Sequence, residues 1–197
     1  MSSYATHLLW IDLETPSLPN GNDYSRVPIL EVGAILTDIS LNKIDGYTEV
    51  VGMTKHTADI LQSNPFVVDM HKKSGLIKDS IDSSFTCEQI EGDLLSMLSD
   101  HNLKKGSVAL AGSGVASFDY PVIKEHMPRL ADMLEYYVYD VGIFRRLFKA
   151  VSPRDVINPS DHKYGNKKVH RAMADIEDHL GEAKDYQKAL GILIAPY

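Results

Sequence analysis

Apolar positions along the chain follow two rhythms, a strand-like one in the first quarter and a largely helical one after it. Leu8 to Ile11, Ile29 to Ile39 and Tyr47 to Met53 are rich in branched and aromatic residues, with the turn formers PNGND and NKIDG between them. Such runs predict three successive strands, and the short connections favour antiparallel hairpins. From Thr54 to His71 the apolar residues take mixed helical spacing, broken at Pro65, and between Thr86 and Leu98 the residues Ile90, Leu94, Leu95, Met97 and Leu98 fall near one helical face. This predicts two short helices and a longer one. Ser107 to Gly112, SVALAG, reads as a buried strand, Ser117 is placed to cap a helix through Met127, YYVYD is a further short strand, and Val141 to Val151 is an amphipathic helix. The polar stretch SPRDVINPSDHKYGNKK leads into a last helix from about Val169 to Ile194. Three strands, then helices alternating with two more strands, predict an α/β architecture with a mixed five-stranded sheet and helices on both faces.

The pattern is interrupted where LLWIDLE, an apolar run, ends in two acids. On a strand, Asp12 and Glu14 share one face with Leu13 opposite, so both carboxylates point at the same volume. Two bare carboxylates that close repel each other, and either one is protonated or a cation sits between them. Alone, a D-x-E is more often a solvated strand end. Two further acids change the weighing: Asp119 in GSGVASFDYPVI, on the first turn of a helix after a buried strand, and Asp175 in HRAMADIEDHL, with His170 five residues before it. Taken singly, Asp119 is a helix N-terminal acid favoured by the dipole, Asp175 a solvated helix residue and His170 a surface histidine. Together, four carboxylates make an oxygen cage suited to a pair of hard divalent ions such as Mg²⁺ or Mn²⁺, leaving His170 for proton transfer.

Length, charge and cysteine content narrow the setting. At 197 residues the chain fits a single domain spanning 1–197. It shows no basic leader and no apolar run long enough to cross a bilayer, which leads us to expect a soluble cytoplasmic protein with no membrane partner. Its one cysteine, Cys87, forms no internal disulfide and has no zinc-finger spacing around it. The formal charge of −7 argues against a protein that coats nucleic acid through unspecific phosphate contacts. It does not exclude nucleic acid, because cations bound to clustered carboxylates invert the local sign.

The ordered set WIDLE, FDYPVI and HRAMAD resembles the three exonuclease motifs of the DEDDh family of 3′-to-5′ exonucleases. Within it the chain looks most like oligoribonuclease, since LLWIDLE, HKKSGLI, YYVYDV and HRAMADI occur in the same order with similar spacing over almost the whole chain. The resemblance implies an RNase H-like fold, Asp12, Glu14, Asp119 and Asp175 as metal ligands, and His170 as general base. It implies two cations per site, at the separation of about 3.5–4 Å that suits in-line displacement at phosphorus, acting on short RNA or single-stranded DNA to release nucleoside 5′-monophosphates. A homodimer is implied as well, with Tyr136 reaching the partner's site.

Leu18 and Phe66 look like the positions where oligoribonucleases place an apolar wedge and an aromatic platform for terminal bases, and stacking of that kind tolerates any sequence. A Leu and a Phe in such surroundings are also ordinary core residues. Lys163, Lys167, Lys168 and Arg171 crowd around His170, and Arg145, Arg146 and Lys149 follow YYVYDV, so incoming phosphate meets local positive charge. The chain departs from the family where a 5′-phosphate cap is expected: Val115 stands in place of a small hydroxyl residue, Tyr137 in place of an arginine, and Gly142 in place of a serine. An eroded cap implies weaker discrimination in favour of dinucleotides. Two other readings remain open: a DNA exonuclease of proofreading or repair type, and a non-catalytic nucleic-acid-binding module on the same fold.

Overall fold

The computed structural model describes residues 5–151 and 169–194. Its centre is a five-stranded mixed sheet, as the pattern predicts, in the order β3-β2-β1-β4-β5. The strands are β1 (His7–Glu14), β2 (Glu31–Asp38), β3 (Lys43–Val50), β4 (Val108–Gly112) and β5 (Tyr139–Asp140). β1 lies antiparallel to β2 and parallel to β4, and β5 continues parallel to β4. β2 and β3 form a hairpin. The connection between β1 and β2 is not a tight turn; residues 15–30 form a loop whose Val27, Ile29 and Leu30 are buried.

Alternation along β1 sorts its side chains between two cores. Leu9, Ile11 and Leu13 join one cluster with Ile90, Leu94 and Leu98, whereas Leu8 and Trp10 join the other with Val141, Ile176 and Leu180. Asp12 and Glu14 continue the second set in parity, so the two acids share a face opposite Leu13, as expected from the two-residue period.

The helices are α1 (Lys55–Gln62), α2 (Pro65–Lys73), α3 (Leu76–Asp82), α4 (Cys87–Asp100), α5 (Asp119–His126), α6 (Pro128–Met133), α7 (Val141–Val151) and α8 (Ala172–Ile194). Pro65 opens α2 rather than merely ending α1, because a proline at the first helical position gives up an N–H that has no partner there, and Asn64 caps the turn. α4 carries a capping box from Thr86 and Gln89. α3 and α6 are too short to leave a period in the sequence. Ser117 does not cap α5: Phe118 occupies the cap position, and the Ser117 hydroxyl donates to the carbonyl of Gly114. Cys87 is half-buried, and burial pushes its thiol pKa up. No described helix is long and apolar enough to cross a membrane.

α8 does not begin at Val169. Its first turn is closed from a distance by Glu31 of β2, whose Oε2 accepts the Ala172 N–H at 3.0 Å. The same carboxylate, 3% exposed, takes Arg171 Nε at 3.0 Å and a second guanidinium nitrogen at 2.9 Å, while Arg171 also reaches Asp79 of α3 at 2.8 Å. Close approach of α8 to the sheet depends on Gly33, where a Cβ would fall 2.9 Å from both Ala172 Cβ and Ile176 Cδ1.

Arg171→Met leaves the Glu31 carboxylate buried without its cation, which costs roughly 3–5 kcal/mol. Urea unfolding is expected to show a correspondingly lower midpoint; an unchanged midpoint would mean that the pair does not anchor α8.

Candidate active site

β1, the start of α5 and the start of α8 meet at one end of the sheet. β1 delivers Asp12 and Glu14 at its carboxyl end, in register with Gly33 and Glu31 of β2. α5 begins at Asp119, which is 5% exposed and accepts the Leu13 N–H on Oδ1 at 3.2 Å. α8 carries Asp175 in its first turn, and His170 lies just before it with φ 51°, a left-handed conformation uncommon outside glycine. His170 is therefore not on a helix, and the five-residue offset to Asp175 is bridged by a sharp change of direction rather than by helical pitch.

One ligand atom from each of Glu14, His170 and Asp175 lies within 4.8 Å of the others. Glu14 lies more than 150 residues from His170 and Asp175 in the chain, and the three meet because the Glu31–Arg171 contact holds α8 against the β1–β2 pair. Asp119 stands on the other flank, near Asp12. Its carboxyl is raised well above the usual range, first by burial and then by the Asp12 charge, against the opposing pull of the Leu13 N–H.

Residues that motif spacing does not single out shape this cluster. His71 of α2 is fully buried; its Nε2 donates to the Thr15 carbonyl at 3.0 Å, which leaves Nδ1 as an acceptor 3.8 Å from Glu14 Oε2. Burial lowers the His71 pKa and keeps the ring neutral. Nδ1 has no hydrogen-bond partner among the described residues. Asp140, at the end of β5, accepts the Gly114 and Gly142 N–H groups at 3.0 and 2.8 Å and so fixes the turn that leads into α5. Neither residue has a sequence signal beyond its place in HKKSGLI or YYVYD.

A donor set of four carboxylates, two of which repel across a buried gap, fits a divalent cation by its chemistry. The imidazole lone pair of His71 facing Glu14 adds to the negative potential there. An ion of charge +2 relieves each of these repulsions at once.

The expected substrate contacts divide. Phe66 is 76% and Leu18 78% exposed, so neither is a core residue. Phe66 and His170 line one cleft of about 360 Å³. Tyr136 is 79% exposed but precedes β5, which runs towards the site, so the structure does not bring it to the acids of its own chain. Lys163, Lys167 and Lys168 lie outside the described residues. Arg171 and Arg145 do not form a free basic rim: Arg171 is held by Glu31 and Asp79, and Arg145 by the buried Glu182 of α8 at 2.8 Å through Nε. At the positions of the eroded cap, Val115 is fully buried, Tyr137 is exposed, and a Cβ on Gly142 would meet Asp140 Oδ1 at 3.0 Å and Ser113 Oγ at 3.3 Å.

No protein-family model matches the chain. It is 32% identical over 183 residues to an oligoribonuclease of Corynebacterium glutamicum, covering 92% of this chain and 78% of that protein. The oligoribonuclease of Corynebacterium diphtheriae is 33% identical over 183 residues, with 92% and 82% covered. A probable oligoribonuclease of Dictyostelium discoideum is 32% identical over 181 residues, with 91% and 88% covered. Among solved structures, E. coli exonuclease I in a complex with a dT13 oligonucleotide matches with a TM-score of 0.69 at 16% identity, over 95% of this chain and 42% of that one. A zinc-bound form of the E. coli exonuclease I complex with single-stranded DNA matches with a TM-score of 0.66 at 15% identity, over 94% and 41%. The chain thus spans about two fifths of those exonuclease I chains, and at this identity the likeness establishes the shared RNase H-like exonuclease fold.

With its folded pKa above the unfolded one, Asp119 binds its proton more tightly in the folded protein, so stability falls as pH rises from the ordinary carboxylate range through the raised value. In the absence of divalent ions, Asp119→Asn is expected to melt a few degrees above the unsubstituted protein at about pH 8, the gap closing as pH falls towards about 4. Added Mn²⁺ should stabilise the unsubstituted protein more than the variant. Equal melting temperatures across the pH range would contradict a buried, repelled carboxylate.

Proposed function

The chain belongs to the oligoribonuclease family of DEDDh 3′-to-5′ exonucleases and is a 3′-to-5′ exoribonuclease, and from that premise we propose how its site carries out the reaction and on what. It depends on a divalent metal and acts on nucleic acid. The observation that carries the assignment of residues is the convergence of Glu14, His170 and Asp175 within 4.8 Å, beside a buried Asp119 whose charge Asp12 disfavours.

Asp12, Glu14, Asp119 and Asp175 would hold two cations, either Mg²⁺ or Mn²⁺. When bound, the cations neutralise charge on the scissile phosphate and make water a better nucleophile. His170 takes the proton from the attacking water as its oxygen bonds to phosphorus. The bond from phosphorus to the 3′ oxygen of the preceding nucleotide breaks, that oxygen takes up a proton, and a nucleoside 5′-monophosphate leaves. The left-handed turn at His170 supports this role, because it sets the ring beside the acids instead of along the helix that follows. Asp140 and His71 act at one remove, the first holding the turn before Asp119 and the second bracing Thr15 and facing Glu14.

Exposed Phe66, in the cleft shared with His170, stacks on the terminal base, and exposed Leu18 separates that base from its neighbour. Val115 is sealed in the core and the space beside Gly142 is filled by Asp140 and Ser113, which supports a site without a 5′-phosphate cap. We therefore place short and longer single strands alike among its substrates, RNA before DNA. Lys163, Lys167 and Lys168, close to His170 in sequence, add positive charge for the substrate, the chain works as one domain in the cytoplasm, and Tyr136 reaches the site of a second copy in a homodimer.

Incubation with 5′-labelled RNA and DNA of two, five and about twenty nucleotides, with Mg²⁺ or Mn²⁺, is expected to give a ladder shortening from the 3′ end. Asp119→Asn and Asp175→Asn should abolish it, and His170→Ala should slow it by about 10² or more while leaving metal binding intact. Full activity in His170→Ala would remove its role as base; a rate on the 20-mer vanishingly small beside the dinucleotide would overturn the uncapped site. Cleavage independent of the 2′-OH would favour the DNA enzyme, and no cleavage with either metal a binding module.

A further inference from the structure

The cleft beside His170 has one wall made by a single face of α2. Phe66, Asp69, Met70 and Lys73 recur there at helical spacing, with Val169 and His170 across from them. Its volume of about 360 Å³ is at the lower end of small-molecule sites, the scale of one nucleotide. The two ends of the wall differ in chemistry. Phe66 lies in the first turn of α2, whereas the carboxyl end of the helix lies against the site: His71 faces Glu14, and the Ser74 carbonyl is 3.5 Å from the Arg171 guanidinium next to His170. A terminal nucleotide with its base at Phe66 places its phosphate at the end where Lys73 stands.

We propose that Lys73 holds the phosphate of the 3′-terminal nucleotide, the group that becomes the 5′-phosphate of the released product, and that Asp69 parks the lysine when the cleft is empty. The assignment rests on the exonuclease reading and goes beyond it by naming a substrate-binding cation. Arg171 and Arg145 are committed to the buried acids Glu31 and Glu182, and withdrawing either would strand a buried carboxylate. The Lys73–Asp69 pair is of another kind: an i,i+4 contact at 2.5 Å with the side chains 75% and 62% exposed, which solvent screens and a phosphate displaces readily. Asp69 opposes the phosphate as it tethers the lysine, so the two residues act with opposite sign. Lys72, one residue along, is exposed and does not line the cleft.

Calorimetric titration with adenosine 5′-monophosphate in the presence of Mg²⁺ separates these roles without relying on turnover. Lys73→Met is expected to raise Kd about tenfold, as for loss of one charged hydrogen bond. Asp69→Asn should lower Kd a few-fold, and Lys72→Met, which removes the same charge outside the cleft, should leave it within about twofold. On a labelled oligonucleotide, Lys73→Met should raise KM while kcat stays within a few-fold. Equal weakening by Lys72→Met and Lys73→Met would reduce the effect to general surface charge and overturn the assignment. If the unsubstituted protein shortens oligonucleotides from the 3′ end while Lys73→Met keeps its Kd and KM, this inference alone falls. If the unsubstituted protein neither binds the mononucleotide nor shortens any strand, the exonuclease reading falls and this inference with it.

Discussion

The buried carboxylate of Glu31 organises the molecule. It terminates α8 by accepting the Ala172 N–H and holds Arg171, which in turn reaches Asp79 on α3. Two elements distant in sequence, α3 and α8, are thereby tied to the first residue of β2, the residue paired in register with Glu14. A charged pair taken out of water is a poor source of net stability against an apolar alternative. What it supplies here is position, because few other contacts fix both the rotation and the axial setting of a helix at its first turn. Gly33 completes the constraint by letting Ala172 and Ile176 come within van der Waals distance of the strand.

Once α8 is set, the electrostatics of the site follow from geometry alone. Asp12 and Glu14 share a strand face, Asp119 is buried beside Asp12, and Asp175 joins Glu14 from the helix. Every one of these placements brings carboxylates together, and the rest of the fold bears the cost of holding them so. The second layer works by fixing direction: Asp140 pins the Gly114 N–H of the turn before α5 to the Gly142 N–H at the start of α7, and His71 ties α2 to Thr15. A site strained in this way is pre-organised for cations, since binding them removes repulsion without requiring the ligands to move far.

The strands and the two-sided sheet were legible because period and β-branched composition are local signals, and the face shared by Asp12 and Glu14 follows from the period alone. The limits of α8 and α5 were not. The cap of α8 comes from Glu31, more than a hundred residues away, so the helix start at Ala172 and the left-handed turn at His170 leave no local trace. Ser117, a good cap by composition, is drawn instead to the Gly114 carbonyl by the turn that Asp140 stabilises. Motif order located the four acids and His170, yet it said nothing of His71 or Asp140, whose roles exist only in three dimensions. The arginines misled for the same reason: near His170 in sequence, or just after a motif, they read as phosphate ligands until the buried acids opposite them came into view.

The commitment of these arginines to buried acids bears on how an acidic protein handles a polyanion. Arg171 and Arg145 neutralise Glu31 and Glu182, so their charge is internal to the fold and unavailable to a strand approaching from solvent. In our proposal attraction comes from cations at the carboxylates and from exposed basic side chains, whose contacts are weak one at a time and screened by salt. Stacking on Phe66, as we propose it, would add grip that is indifferent to both charge and sequence. An enzyme that releases a mononucleotide at each cut gains from this balance. The product must leave after each cut, and a rim of strongly basic groups would retain both the mononucleotide and the shortened strand. Low net attraction outside the metal site is therefore consistent with turnover, and it leaves discrimination between substrates to the cleft between α2 and His170.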